Sequence, residues 1–176
     1  IYQYRTQRNP KTRLFLFKAG CLVNFAMDLQ EAYMTTRLHG KDTVFLPFNR
    51  GKGTGVDAGA GNDIFPDKYS VFYMWEDILT KDTLLDLISR FIFVEHKEKK
   101  DPDTHKITHS ENIIFPRYHQ LDVIRRLLAD VRENKTALNY LIEHSAGSGK
   151  SNSIAWLAHR LSSLHDGDNK IIFDNI

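Results

Sequence analysis

Apolar positions in the second half of the chain recur at spacings that name its elements. Leu121, Ile124, Leu127, Leu128 and Val131 share one helical face, which predicts an amphipathic helix. Pro116, whose missing N–H costs nothing at a helix start, stands just ahead of it. Tyr140-Leu141-Ile142 is a short apolar run of the kind a buried parallel strand shows. Ile154, Leu157, Ala158, Leu161 and His165 then recur at helical spacing, predicting a helix that opens at about Lys150. Lys170-Ile171-Ile172-Phe173 reads as another buried strand.

Before Asn112 the pattern changes. The runs Arg13–Lys18, Leu22–Met27, Ala32–Leu38 and Thr43–Phe48 are short and rich in β-branched and aromatic residues, with turn-like breaks between them. Gly51, Gly53, Gly55, Gly59 and Gly61 are half of the chain's 10 glycines. No apolar strand leads into them and no helix pattern follows, so a flexible surface loop is expected there rather than a cofactor site. Trp75, Ile78 and Leu79 begin one predicted helix. Leu84, Leu87, Ile88, Phe91 and Ile92 form the core-packing stripe of a second, with Asp82 as the expected N-cap.

Between the predicted strand at Tyr140 and the predicted helix at Lys150 lies His144-Ser145-Ala146-Gly147-Ser148-Gly149-Lys150-Ser151, which holds the pattern G-x-G-K-[ST]. At average glycine usage, a chance match in a chain this long has odds on the order of one in a few hundred. Gly147 and Gly149 can adopt conformations that turn successive N–H groups inward, and they carry no Cβ to block a phosphate. The helix that follows points its partly positive end at the same place. Ala146, Gly147, Ser148, Gly149, Lys150 and Ser151 are therefore the expected nucleotide-phosphate ligands. Lys150 would supply the catalytic positive charge, and the Ser151 hydroxyl would coordinate Mg²⁺. The competing reading is an ordinary glycine turn that caps a helix.

Composition narrows the class without naming a function. At 176 residues, 41% hydrophobic and 26% charged, the chain has the make-up of one ordinary domain or two small ones. No apolar run approaches the roughly 20 residues that span a bilayer, and no signal-peptide pattern is present. A net charge of +2 is too small to argue for nucleic acid. The single Cys21 cannot form an internal disulfide, which suits a reducing cytoplasm, the expected location.

Other constellations are weak. Glu95-His96-Lys97 has the E-x-K spacing of a nuclease site, but it lies in the mixed-charge run Glu95–Lys106, which reads as a solvated linker. His105 and His109 have a spacing that binds metal on a helix, yet Pro102 and the charges around it argue against a helix and against zinc.

The glycine loop resembles a known family. Helicase-like motors tolerate a larger residue where the general phosphate loop has its first glycine, and H-S-A-G-S-G-K-S is similar to the motor subunit of type I restriction enzymes. His144 at that place is expected to be a packed residue that shapes the loop. Upstream, Phe115-Pro116-Arg117-Tyr118-His119-Gln120 resembles the Q motif of superfamily-2 helicases and translocases. The resemblance implies that Gln120 contacts the adenine edge, while Phe115 and Tyr118 are expected in the core. Cys21–Asp28, Tyr33–Thr36 and Phe45–Asn49 look like the part of those subunits between nuclease core and motor.

The resemblance implies an ATP-dependent, DNA-translocating restriction endonuclease subunit. ATP and Mg²⁺ are its cofactors; double-stranded DNA and the methyltransferase and specificity subunits are its partners. The expected fold is α/β: the β-rich end of a nuclease domain over residues 1–94, a charged linker over 95–111, and the start of a RecA-like parallel sheet over 112–176. A doubly wound sheet needs more strands than the two predicted here, so the chain is expected to be a fragment, with nuclease carboxylates before Ile1. Two alternatives stay open: another superfamily-2 helicase or P-loop ATPase, and a non-catalytic nucleotide-binding scaffold.

Overall fold

A computed structural model describes residues 1–53, 58–134 and 139–173 of the chain. It is a mixed α/β structure of helices and small antiparallel sheets, divided into two compact units, Ile1–Phe115 and Pro116–Ile176.

The first unit opens with helix α1 (Tyr2–Thr6). A three-stranded antiparallel sheet follows, with strands β1 (Asn24–Met27), β2 (Ala32–Thr35) and β3 (Leu46–Pro47) in that spatial order. The β1–β2 register pairs Asn24 with Thr35 and Met27 with Ala32. Asp28 closes that hairpin: its Oδ1 accepts the backbone N–H groups of Gln30 and Glu31, each at 2.8 Å. The bonds from Glu31 and Gln30 hold the Asp28 carboxyl below its ordinary pKa. The run at Arg13 is not a strand but a 3₁₀ turn, Arg13–Phe15, and β3 is shorter than its apolar run.

An aromatic cluster forms the core beside this sheet. Phe25 packs edge-on against Phe48 at 5.2 Å and against Phe115 at 5.9 Å. The buried Tyr73 hydroxyl donates to the Phe48 carbonyl at 2.7 Å, which satisfies both polar groups inside the core. The helix expected at Trp75 is a π-helical turn, Met74–Ile78, that buries Met74 and Ile78 and leaves Trp75 half exposed. Helix α2 (Lys81–Arg90) buries Leu87, but its N-cap is Thr80 and Asp82 lies inside its first turn.

The stretch 95–111, expected to be a linker, is most of a β-hairpin. Strands β4 (Phe93–Lys100) and β5 (Ile107–Ile114) pair antiparallel from Phe93↔Ile114 to Lys100↔Ile107. Side chains meet across the strands: His96 faces Glu111 at 3.2 Å, and His109 faces Glu98 at 3.2 Å. Asp101 Oδ1 accepts the N–H groups of Asp103 and Thr104 at the tip. The hairpin is solvated along almost its whole length, so the core side of its pattern is missing from the sequence.

The second unit is built on helices α3 (Tyr118–Asn134) and α4 (Lys150–Ser162). α3 buries Leu121, Ile124, Leu127 and Leu128, the face its periodicity predicts. Phe115 and Tyr118 are buried as expected. α4 buries Trp156, whereas Ile154 of its predicted stripe is exposed. Tyr140-Leu141-Ile142 forms no strand, and Leu141 is 85% exposed. A parallel strand needs ladder partners, and among the described residues this segment has none, so water satisfies its backbone instead. Tyr140 is tied down by its hydroxyl, which donates to the Asp130 carboxylate on α3. Of the run at Lys170, only Ile171 bridges, antiparallel, to His165.

Candidate functional site

The glycine loop takes the shape its sequence requires. Gly147 has φ 72° and Gly149, the N-cap of α4, has φ 84°. L side chains rarely adopt this left-handed region, which is why glycine recurs at these two positions. Ser148 N–H donates to the Ser145 carbonyl at 3.3 Å, closing a turn that carries Ala146 and Gly147 on its exposed outer side. α4 then begins at Lys150 with no side-chain cap, and the N–H groups of Asn152 and Ser153 donate to the Gly149 carbonyl at 3.1 and 3.3 Å. Nothing lies within 4 Å of where a Gly147 Cβ would point, so the loop is open on that side.

Lys150 folds back over this turn and donates from Nζ to the Ser145 carbonyl at 2.9 Å. Ser151 is exposed on the first turn of α4. Ser148 is only 4% exposed, and among the described residues neither its Oγ nor the buried Ser153 Oγ on α4 has a hydrogen-bond partner.

Gln120 joins the loop to the start of α3. Its Oε1 accepts the Arg117 N–H at 2.9 Å, which is the N3-to-N-cap half of a capping box. Its Nε2 donates to the Gly149 carbonyl at 2.9 Å and the Ser148 carbonyl at 3.3 Å. The side chain is 3% exposed. Gln120 thus lies at the loop, as the motif spacing predicts, with its amide engaged by protein at both ends.

His119 completes this contact. Its Nε2 lies 3.2 Å from the Ser148 carbonyl. Its ring meets the His144 ring edge-on, with centroids 4.8 Å apart. His144 therefore packs at the base of the loop. Burial pushes the His119 pKa below its ordinary value, opposed by the bond to Ser148 and helped by Arg117 and His144. Burial and then Lys150 depress His144. Sequence reasoning passed over His119, Arg117 and Ser153; the one available signal was that His119 directly precedes Gln120 in the same motif.

Beside the loop is a mostly apolar cavity of about 250 Å³, lined on α3 by Ile124 and Leu127, on α4 by Ser153 and Leu157, and at its rim by His144 and Lys150. Among the described residues no carboxylate lines it. The arrangement can hold an anion: the turn is exposed at Ala146 and Gly147, lies at the start of a helix, and has a lysine within reach. The open side at Gly147 and the exposed ammonium of Lys150 over the turn fit a nucleotide's phosphates. Ser151 fits a single Mg²⁺ ligand position on the exposed first turn.

The charged and glycine-rich features of the first unit have local partners of their own. Lys97 Nζ pairs with Glu95 at 2.9 Å, and His109 pairs with Glu98. The glycine-rich segment is anchored at its base, where Gly51 N–H donates to the Gly61 carbonyl at 2.8 Å and Lys52 pairs with Gly59. Residues 54–57 of that expected loop, Gly55 among them, lie outside the described ones. No family model, no curated protein and no solved structure matches this chain.

Proposed function

We propose that the second unit is the ATP-binding start of a DNA-translocating motor of the type I restriction endonuclease kind, and that the first unit belongs to the region that joins such a motor to its nuclease. One observation carries the reading. Gly147 and Gly149 are both left-handed immediately before a helix that opens at Lys150, in the sequence H-S-A-G-S-G-K-S.

In this reading, residues Ala146 to Ser151 hold the nucleotide phosphates by their backbone amides. Lys150 leaves the Ser145 carbonyl to neutralise phosphate charge, and the Ser151 hydroxyl contributes to Mg²⁺ binding. Bound ATP would supply the free energy for translocation. Gln120 reads an adenine edge only by giving up its bonds to Ser148 and Gly149, so base recognition and loop closure compete for one amide. The reading also requires Tyr140-Leu141-Ile142 to pair within a RecA-like parallel sheet in the assembled motor. Double-stranded DNA and the methyltransferase and specificity subunits are the partners it implies.

The test is ATP hydrolysis by the full-length subunit that the resemblance implies, with and without DNA. DNA-stimulated turnover, with DNA cleavage that depends on ATP, is the expected result. Turnover indifferent to DNA would favour a P-loop ATPase of another kind, and nucleotide binding without turnover would favour a scaffold.

A further inference from the structure

His119 and His144 meet edge-on at the base of the loop, with ring centroids 4.8 Å apart. Beyond burial, Arg117 at the start of α3 and His144 depress His119, and Lys150 at the start of α4 depresses His144. One ring touches the loop through the Ser148 carbonyl, and the other stands at the rim of the cavity that Lys150 also lines. Three cationic or potentially cationic side chains thus meet at one turn: Lys150 on the Ser145 carbonyl, His119 on the Ser148 carbonyl, and His144 against His119. Such a cluster is complete only with an anion among its members.

We propose that the His119–His144 pair is a second cationic element of the phosphate site, neutral while the loop is empty and protonated when a polyphosphate occupies it. The inference rests on the phosphate-loop reading and adds a proton-coupled role for a pair of side chains that the glycine motif does not include. In the empty loop, burial and the surrounding positive charge keep both rings neutral. A phosphate at Gly147–Lys150 reverses the local field and favours the imidazolium form. A ring at 3.2 Å from the Ser148 carbonyl donates more strongly when charged, so proton uptake also tightens the contact between α3 and the loop.

The sign follows from linkage. Ligand binding raises the pKa of the ring, so binding is accompanied by proton uptake and affinity rises as pH falls. The expected change is a tightening on the order of three- to tenfold between pH 8 and pH 6.

The experiment is calorimetric titration of this 176-residue chain with Mg²⁺ and ATP at both pH values, in buffers of different ionisation enthalpy. Proton uptake by the wild-type chain, reduced in both His144→Gly and His119→Gln, is the expected result. Gln at position 119 keeps a donor for Ser148, and Gly at position 144 restores the residue of the general phosphate-loop pattern. NMR titration of the wild-type histidine rings reads the same coupling without a variant: both should titrate at higher pH once ATP is bound. Binding with no proton uptake beyond that of the variants, or ring titrations unmoved by ATP, would overturn this proposal and leave the phosphate-loop reading standing. No ATP binding at either pH would overturn both.

Discussion

The Gln120 Nε2 donates to the Gly149 carbonyl at 2.9 Å, so the residue that caps the entry to α3 also fixes the residue that caps the entry to α4. One buried amide serves two helix starts. Gln120→Ala would leave the part-buried Arg117 N–H without its acceptor and break the tie to the loop, while the Gly149 carbonyl keeps the Asn152 and Ser153 N–H groups. Such losses cost about 1–3 kcal/mol, and thermal unfolding should register a decrease of that size. If Gln120 also reads the base, GTP should compete with ATP more effectively in the variant. A fall in stability with an unchanged ATP-to-GTP ratio would assign the amide to holding the loop alone.

The two loop glycines should differ in their tolerance of a methyl group. Both have positive φ, so alanine at either costs about 1–2 kcal/mol of backbone strain. At Gly147 the new Cβ meets nothing within 4 Å. At Gly149 it would lie 2.6 Å from Gln120 Nε2, which must shift and give up its carbonyl bonds. Gly149→Ala is therefore expected to lower the melting temperature clearly more than Gly147→Ala. Equal losses would mean that Gln120 does not occupy the place described.

Leu141 distinguishes the observed segment from the strand its sequence suggests. At 85% exposed it has little to lose, and Leu141→Ala should change stability by less than about 0.5 kcal/mol. A leucine buried in a parallel sheet loses about 2–5 kcal/mol on the same change. Urea unfolding of the wild-type and variant chains measures the difference. A loss in the larger range would show that this segment is packed in solution as a core strand.

Sequence made some of this architecture legible because the physics is local. α3 buries one stripe, so Leu121, Ile124 and Leu128 declare its period. The loop needs φ > 0 at Gly147 and Gly149, and glycine is the residue that marks such positions. The hairpin at 93–114 stayed hidden because nearly every side chain on it is solvated, and the pairing of Glu98 with His109 is visible only once the strands are opposed. The anchor of the glycine-rich segment was hidden for a similar reason. Asn62, 4% exposed, accepts the Arg50 N–H and donates to the Gln30 carbonyl, partners far from it in the chain. The site was read from the motif, and what escaped was the use of His119 and Gln120 as its internal supports.

Lys150→Ala separates chemistry from folding. The Nζ bond to Ser145 is exposed, so its removal should leave the melting temperature nearly unchanged. Phosphoryl transfer, in contrast, depends on positive charge at the phosphates, and such a charge typically contributes several kcal/mol in the transition state. On the proposed reading, the variant in a full-length motor subunit should therefore lose DNA-stimulated ATP hydrolysis and DNA cleavage together. The 176-residue chain should bind ATP weakly and turn none over, because among the described residues the cavity beside Lys150 carries no carboxylate to hold Mg²⁺ or to orient water. Steady-state phosphate release and a DNA-nicking assay on the wild-type chain, its Lys150→Ala variant and the full-length pair measure all of this. Turnover by the chain alone that vanishes in Lys150→Ala would mean that a catalytic acid already lies within these residues. Near-normal DNA-stimulated hydrolysis in the full-length variant would remove Lys150 from the site.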